Sequence, residues 1–201
     1  MNDFWIWFST GLQHILDVNG YDHILYIVSL CILFSFNEWK NLLILVTAFT
    51  IGHSLTLAIS ILDVLTIKQT YIETLIPLTI LTTCLINIIV WRLGSDQQNF
   101  KGKTYRLNYI LALVFGFIHG MGFSYLLKSM LGKEESIVFP LLSFNLGLEI
   151  GQLIIVACTL IISLFLVRFT KIKKPGLVLF ISTTVFGISF LLFVQRLNII
   201  I

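Results

Sequence analysis

Charge is the scarcest property of this sequence. Only 11% of its 201 residues are Asp, Glu, Lys or Arg, against about 25% in ordinary soluble domains, and that deficit excludes a water-soluble globule. The net charge of +3 is scattered over short segments rather than gathered on one face, which excludes a nucleic-acid surface. Cysteine is nearly missing too. Cys31, Cys84 and Cys158 lie inside apolar runs, are odd in number and form no C-x-x-C pair. That excludes a full disulfide framework and leaves three small buried hydrophobes. The segment from Met1 to Gln13 holds Asp3 but no Lys or Arg. It lacks the positive n-region of a secretory signal and is expected to belong to the mature protein.

What fills the chain instead is hydrocarbon. Hydrophobic residues make up 57% of it and the mean hydropathy is +0.97. A run of about 20 apolar residues crosses a bilayer core, and such runs recur at 21–36, 41–62, 72–93, 107–131, 137–169 and 177–197. The expectation is an all-α, polytopic transmembrane helical bundle of six spans, forming a single domain over 1–201. The first run is short for a span. Ahead of it, 1–20 is read as an amphipathic or partly inserted N-terminal helix, with Trp5, Trp7 and Phe8 suited to an interface. The fifth run is long and should tilt.

Basic residues predict the orientation. Lys40, Arg92, Lys101, Lys103, Arg106, Arg168, Lys171, Lys173 and Lys174 fall on one side, and Lys68, Lys128, Lys133 and Arg196 on the other. The richer side is cytoplasmic by the positive-inside rule, so both termini face outward and the expected home is a bacterial inner membrane. The 94–106 and 170–176 loops are then cytoplasmic, and the 132–136 loop external.

Every histidine lies in or beside an apolar run, and ionisable groups in hydrocarbon tend to mark function. Gly20-Tyr21-Asp22-His23 sets a carboxylate beside an imidazole at a helix start, where Asp22 could equally serve as a cap. His14 lies just before it and could be solvated. Thr50-Ile51-Gly52-His53-Ser54 lies deep in the second run. Thr50 and Ser54 can bond back to their own helix, but His53 needs a partner elsewhere. His119 stands among Gly116, Gly120 and Gly122, the first two in G-x-x-x-G spacing. Asn145, Glu149 and Gln152 form one polar stripe at i, i+4 and i+7, and an intramembrane Glu must be neutral, paired or bound to a cation. Asn87 is read as a helix-contact residue and Glu73 as solvated. Imidazole and carboxylate together are the ligand set of a first-row divalent metal. The candidate metal ligands are therefore His14, Asp22, His23, His53, His119 and Glu149, with Ni or Zn as the ion.

Four segments carry a resemblance: Gly20 to Tyr26, Thr47 to Leu57, Phe115 to Phe123, and Phe144 to Leu153. Together they resemble the HupE/UreJ family of hydrogenase and urease accessory membrane proteins, regarded as nickel or related divalent-metal permeases. The resemblance implies metal handling by Asp22, His23, His53, His119 and Glu149. One departure stands out. Nickel permeases of this kind carry a histidine nearer the Asp-His pair, whereas seven residues separate His14 from Asp22 here, moving His14 off the register of that motif.

Three functions compete on these residues. A permease would admit a divalent cation from outside and hold it near the midplane. An intramembrane zinc hydrolase would activate water, with Glu149 or Asp22 as base and Ser54 assisting. A metal sensor or assembly subunit would bind without turnover. A transporter needs polar access to both faces, and Leu153-Ile154-Ile155-Val156 offers little of it. The partners expected are the lipid bilayer and the cation, with a homo-oligomer left open.

Overall fold

The computed structural model describes residues 3–64, 67–93, 97–131 and 137–200, and among them every regular element is helical. Seven α-helices follow in order: α1 Asp3–Leu16, α2 Asp22–Cys31, α3 Trp39–Ile61, α4 Gln69–Leu93, α5 Gln97–Leu131, α6 Val138–Phe169 and α7 Lys174–Ile200. Five of them, α3 to α7, are long and apolar enough to cross a bilayer. The protein is an integral membrane protein.

Two expectations change. The run at 21–36 is not a full span, because α2 has only 10 residues, or about 15 Å at 1.5 Å per residue. The chain then leaves the helix and re-enters through a capping box, in which the Ser35 amide donates to Glu38 Oε2 at 2.8 Å ahead of α3. The expected loop at 94–106 is mostly helix, since α5 starts at Gln97. Its polar first turns are built from Gln and Lys, which are good helix formers. The 132–136 loop lies outside the described residues.

Two helix pairs share one mode of packing. In α3 and α5, a Cβ on Gly52 would stand 2.3 Å from the Leu113 carbonyl oxygen, and one on Gly116 2.2 Å from that of Phe49. Backbone meets backbone, so only glycine fits there. Gly120 meets Thr56 as Gly52 meets Leu113, so these helices run the same way. The α1–α6 pair repeats the crossing with Gly11 against Phe144 and Gly147 against Phe8. Gly151 against Ile15 makes that pair parallel as well.

The remaining directions follow from cross-helix bonds. Glu73 of α4 pairs with Arg196 of α7, and Asn87 Nδ2 donates to Ser182 Oγ at 3.3 Å, so α4 and α7 are antiparallel. Asn87 Nδ2 also donates to the Ser29 carbonyl at 2.6 Å, the contact role expected of it, and this sets α2 alongside α4. The short 170–173 connection turns α6 back into α7. Hence α1, α2, α4 and α6 descend while α3, α5 and α7 ascend. α1 and α2 thus follow one another in one direction, broken at 17–21, where the Asn19 amide donates to Asp17 Oδ1 at 2.9 Å.

The interior of the bundle is mixed and its outside is apolar. Tyr26, Phe34, Phe49 and Phe144 are fully buried alongside Ser29, Thr83, Asn87 and Ser182, whereas Ile44, Leu142, Phe165 and Leu191 face outward. This is the arrangement lipid demands, since polar groups have no water partner in hydrocarbon. Cys31 and Cys84 are buried as expected, but Cys158 is exposed on α6. Its thiol simply occupies a position on the outward apolar face.

Candidate metal centre

The glycine crossings bring the imidazoles together. Close approach of α3 and α5 sets His53 and His119 on one level, and the bend at 17–21 returns the end of α1 to the start of α2. One nitrogen from each of His14, His23 and His53 lies within 4.8 Å of the others. His119 stands outside that trio with its ring 4.9 Å from that of His23, centroid to centroid. The His14 ring is 4.7 Å from His23 and 5.9 Å from His53. The departure of His14 from the motif's register does not take it out of the cluster. The bend uncouples the rotation of α1 from that of α2, so helical register does not carry across it.

Burial and orphaned nitrogens give this cluster its chemistry. His23, His53 and His119 are buried at 6%, 0% and 1% exposure. Neither ring nitrogen of His53 has a hydrogen-bond partner among the described residues, nor does Nε2 of His14, His23 or His119. A buried polar atom left without a partner costs about 1–3 kcal/mol, and here five gather in one place.

Two rings are held by the opposite nitrogen. His119 Nδ1 donates to the Phe115 carbonyl at 2.8 Å, which leaves Nε2 as the bare lone pair. His23 Nδ1 stands 3.1 Å from Asp22 Oδ1, and the same oxygen accepts the His23 amide at 2.9 Å. A ring whose Nδ1–H is fixed by a carboxylate or carbonyl is set up to ligate through Nε2. Asp22 thus serves both readings given for it: its carboxylate holds the His23 ring and takes one amide of the first turn of α2. Phe49, Phe123 and Phe144 wall the cluster with rings 3.9–6.2 Å from the imidazoles.

Glu149 sits elsewhere. Its Oε1 accepts from Thr47 Oγ1 at 2.9 Å, while Gln152 Oε1 accepts from Thr50 Oγ1 at 2.9 Å. The polar stripe on α6 is one face, as its spacing requires, and it is turned to α3 below the histidines. Glu149 is not among the residues of the trio. Ser54 Oγ bonds back to the Thr50 carbonyl at 2.6 Å.

A cavity of about 220 Å³ opens onto the cluster, lined by His14, His23, His119 and Asp22 on one side and by Gln69, Glu73 and Arg196 on the other. Glu73 keeps 31% of its side chain exposed, as its place at a helix end suggested, but it is also paired. It pairs with Arg196 and accepts from Gln69 Nε2 at 2.9 Å. A sequence gives no sign of this partner, which lies 123 residues away.

A family profile described as "HupE / UreJ protein" matches residues 1–196. The chain belongs to the HupE/UreJ family. The match takes in α1 to α6, most of α7 and every residue of the cluster, so the His-rich centre lies within the family's own region. No curated protein and no solved structure matches the chain.

Proposed function

We propose that this HupE/UreJ protein is a permease for a divalent cation of the nickel type in a bacterial inner membrane, with both termini outside. One observation carries the reading: three imidazoles from three helices within 4.8 Å of one another, with ring nitrogens lacking partners. Neutral imidazole suits Ni²⁺ and Zn²⁺. His14, His23 and His53 hold the cation, His119 offers a fourth imidazole, and Asp22 fixes the His23 ring. Glu149 stands apart from this set, paired with Thr47. The broken α1–α2 unit makes the sixth crossing.

Two further observations favour passage over storage. The cavity above the cluster reaches the end of the bundle where α4 begins and α7 finishes, the side poorer in basic residues. On the other side, Ser29, Thr83, Asn87 and Ser182 put buried polar groups along the α2–α4–α7 seam. The hydrolase reading finds less support, since among the described residues Asp22 is engaged by His23, Glu149 by Thr47 and Ser54 by its own helix.

The test is metal content of the purified protein together with Ni²⁺ and Zn²⁺ uptake into proteoliposomes. The expected result is bound metal and saturable uptake, both lost in His53→Ala. Protein without metal and without uptake would overturn the reading. Bound metal without uptake would favour the sensor.

A further inference from the structure

Arg196 poses a problem at the mouth of this cavity. A guanidinium repels a divalent cation and is always charged, and among the described residues Arg196 is the only Lys or Arg lining the space beside His14, His23 and His119. Such a residue fits there only if it is neutralised at rest. Glu73 does that, and the pair also borders a second opening of about 110 Å³ formed with Asn19, Tyr21 and Leu192. The two residues thus stand between the bundle surface and the buried Nε2 atoms of His23 and His119, which have no partners of their own.

The backbone beneath Glu73 is weakened. Pro77, inside α4, has no N–H to donate to the Glu73 carbonyl four residues earlier, which opens the helical ladder at that turn. Pro77 lines the same opening as Glu73 and Arg196. The carboxylate therefore rides on the part of α4 best able to bend.

We propose that the Glu73–Arg196 pair is the gate of the cation chamber, and that Glu73, on leaving Arg196, is a carboxylate that takes the entering cation. The proposal rests on the cation-binding reading above. In the resting state the two charges cancel, and the guanidinium occupies the carboxylate that a cation would need. In the open state Arg196 turns to the surface, and Glu73 joins Asp17 and Asp22 of the same cavity in giving the chamber the negative charge a dication requires. Two states whose balance both a cation and a charge pair can bias are the requirement for such a gate.

The experiment is Ni²⁺ and Zn²⁺ titration of purified full-length protein and of Glu73→Gln, Arg196→Gln and the double variant, with binding rates by stopped flow. Freeing Glu73 in Arg196→Gln should tighten binding and speed it by about fivefold to tenfold, the lower range of coupling between sites. Glu73→Gln, which leaves the guanidinium unpaired, should weaken binding by about as much, and the double variant should fall between the two single variants. Arg196→Lys, which keeps the charge but loses the planar fork, should fall between parent and Arg196→Gln, and it stands in if Arg196→Gln does not fold. Tight binding by the parent with no change in either single variant would overturn the gate alone. Absence of binding by the parent would overturn the cation reading itself, and the gate with it.

Discussion

Asp22 Oδ1 and His23 Nδ1 stand 3.1 Å apart, and the same oxygen also takes the His23 backbone amide. The carboxylate clamps the ring to its own backbone, so the Nε2 lone pair keeps a fixed direction into the cluster. Asp22→Ala releases that clamp and leaves all four imidazoles in place. Loss of a partner of this kind costs about 10–100-fold in metal affinity. Titration with Ni²⁺ should read that loss with the helix content unchanged, and an unaltered affinity would remove Asp22 from the centre.

His53 carries two buried nitrogens with no partner, and it is held against the backbone of Gly116 and Gly120. In the absence of metal this is a cost to the fold. His53→Leu removes both orphaned atoms while filling similar space. The metal-free variant is expected to unfold at or above the temperature of the metal-free parent. The parent alone should gain stability on adding Ni²⁺, as ligand linkage requires. Thermal unfolding in detergent with and without metal checks both statements.

Glu149 accepts from Thr47 and lies outside the trio. Glu149→Gln keeps an oxygen to accept that bond, so bound metal per chain should not change. A fall in metal content on the same purified variant would return Glu149 to the ligand set.

Gly116 and Gly176 make a matched pair of tests. Alanine at Gly116 would drive its Cβ into the Phe49 carbonyl, whereas nothing lies within 4 Å of a Cβ at Gly176. Gly116→Ala is expected to destabilise by about 1–3 kcal/mol, the usual cost of overpacking. Gly176→Ala should leave the unfolding temperature unmoved. Equal behaviour of the two would contradict the backbone contact between α3 and α5.

Orientation can be read from two exposed lysines. Lys68 precedes α4 and Lys173 precedes α7, at opposite ends of the bundle. In a background without native cysteines, Lys68→Cys should react with an impermeant reagent from outside and Lys173→Cys should not. The reverse pattern would invert the topology.

The long helices were legible because an apolar run in lipid must satisfy its own backbone, and helix is the economical way to do so. His53 and His119 were legible for the same reason, as buried imidazoles have no innocent exit. His14 was named among the candidates but its place beside His23 and His53 was not legible, because a turn made by Asp17 and Asn19 resets the rotation between α1 and α2. The pairing of Glu73 was not legible, because its partner Arg196 is remote in sequence. The face of Glu149 could be read from its spacing, but not that Thr47 and Thr50 would be the groups opposite.

The α1–α6 pair and the α3–α5 pair are each welded backbone to backbone, and they point in opposite senses. His14 rides on the first block, while His53 and His119 ride on the second. His14, His53 and His119 are thus each tied to a partner helix, so rotation of the blocks against each other changes the gap between His14 and His53. Metal–nitrogen bonds tolerate roughly 0.2 Å, so a block rotation of a few degrees is enough to dismantle the coordination shell. The cluster is in effect a caliper spanning two jaws: an ion held there, as proposed above, would be gripped or let go according to the angle between the jaws.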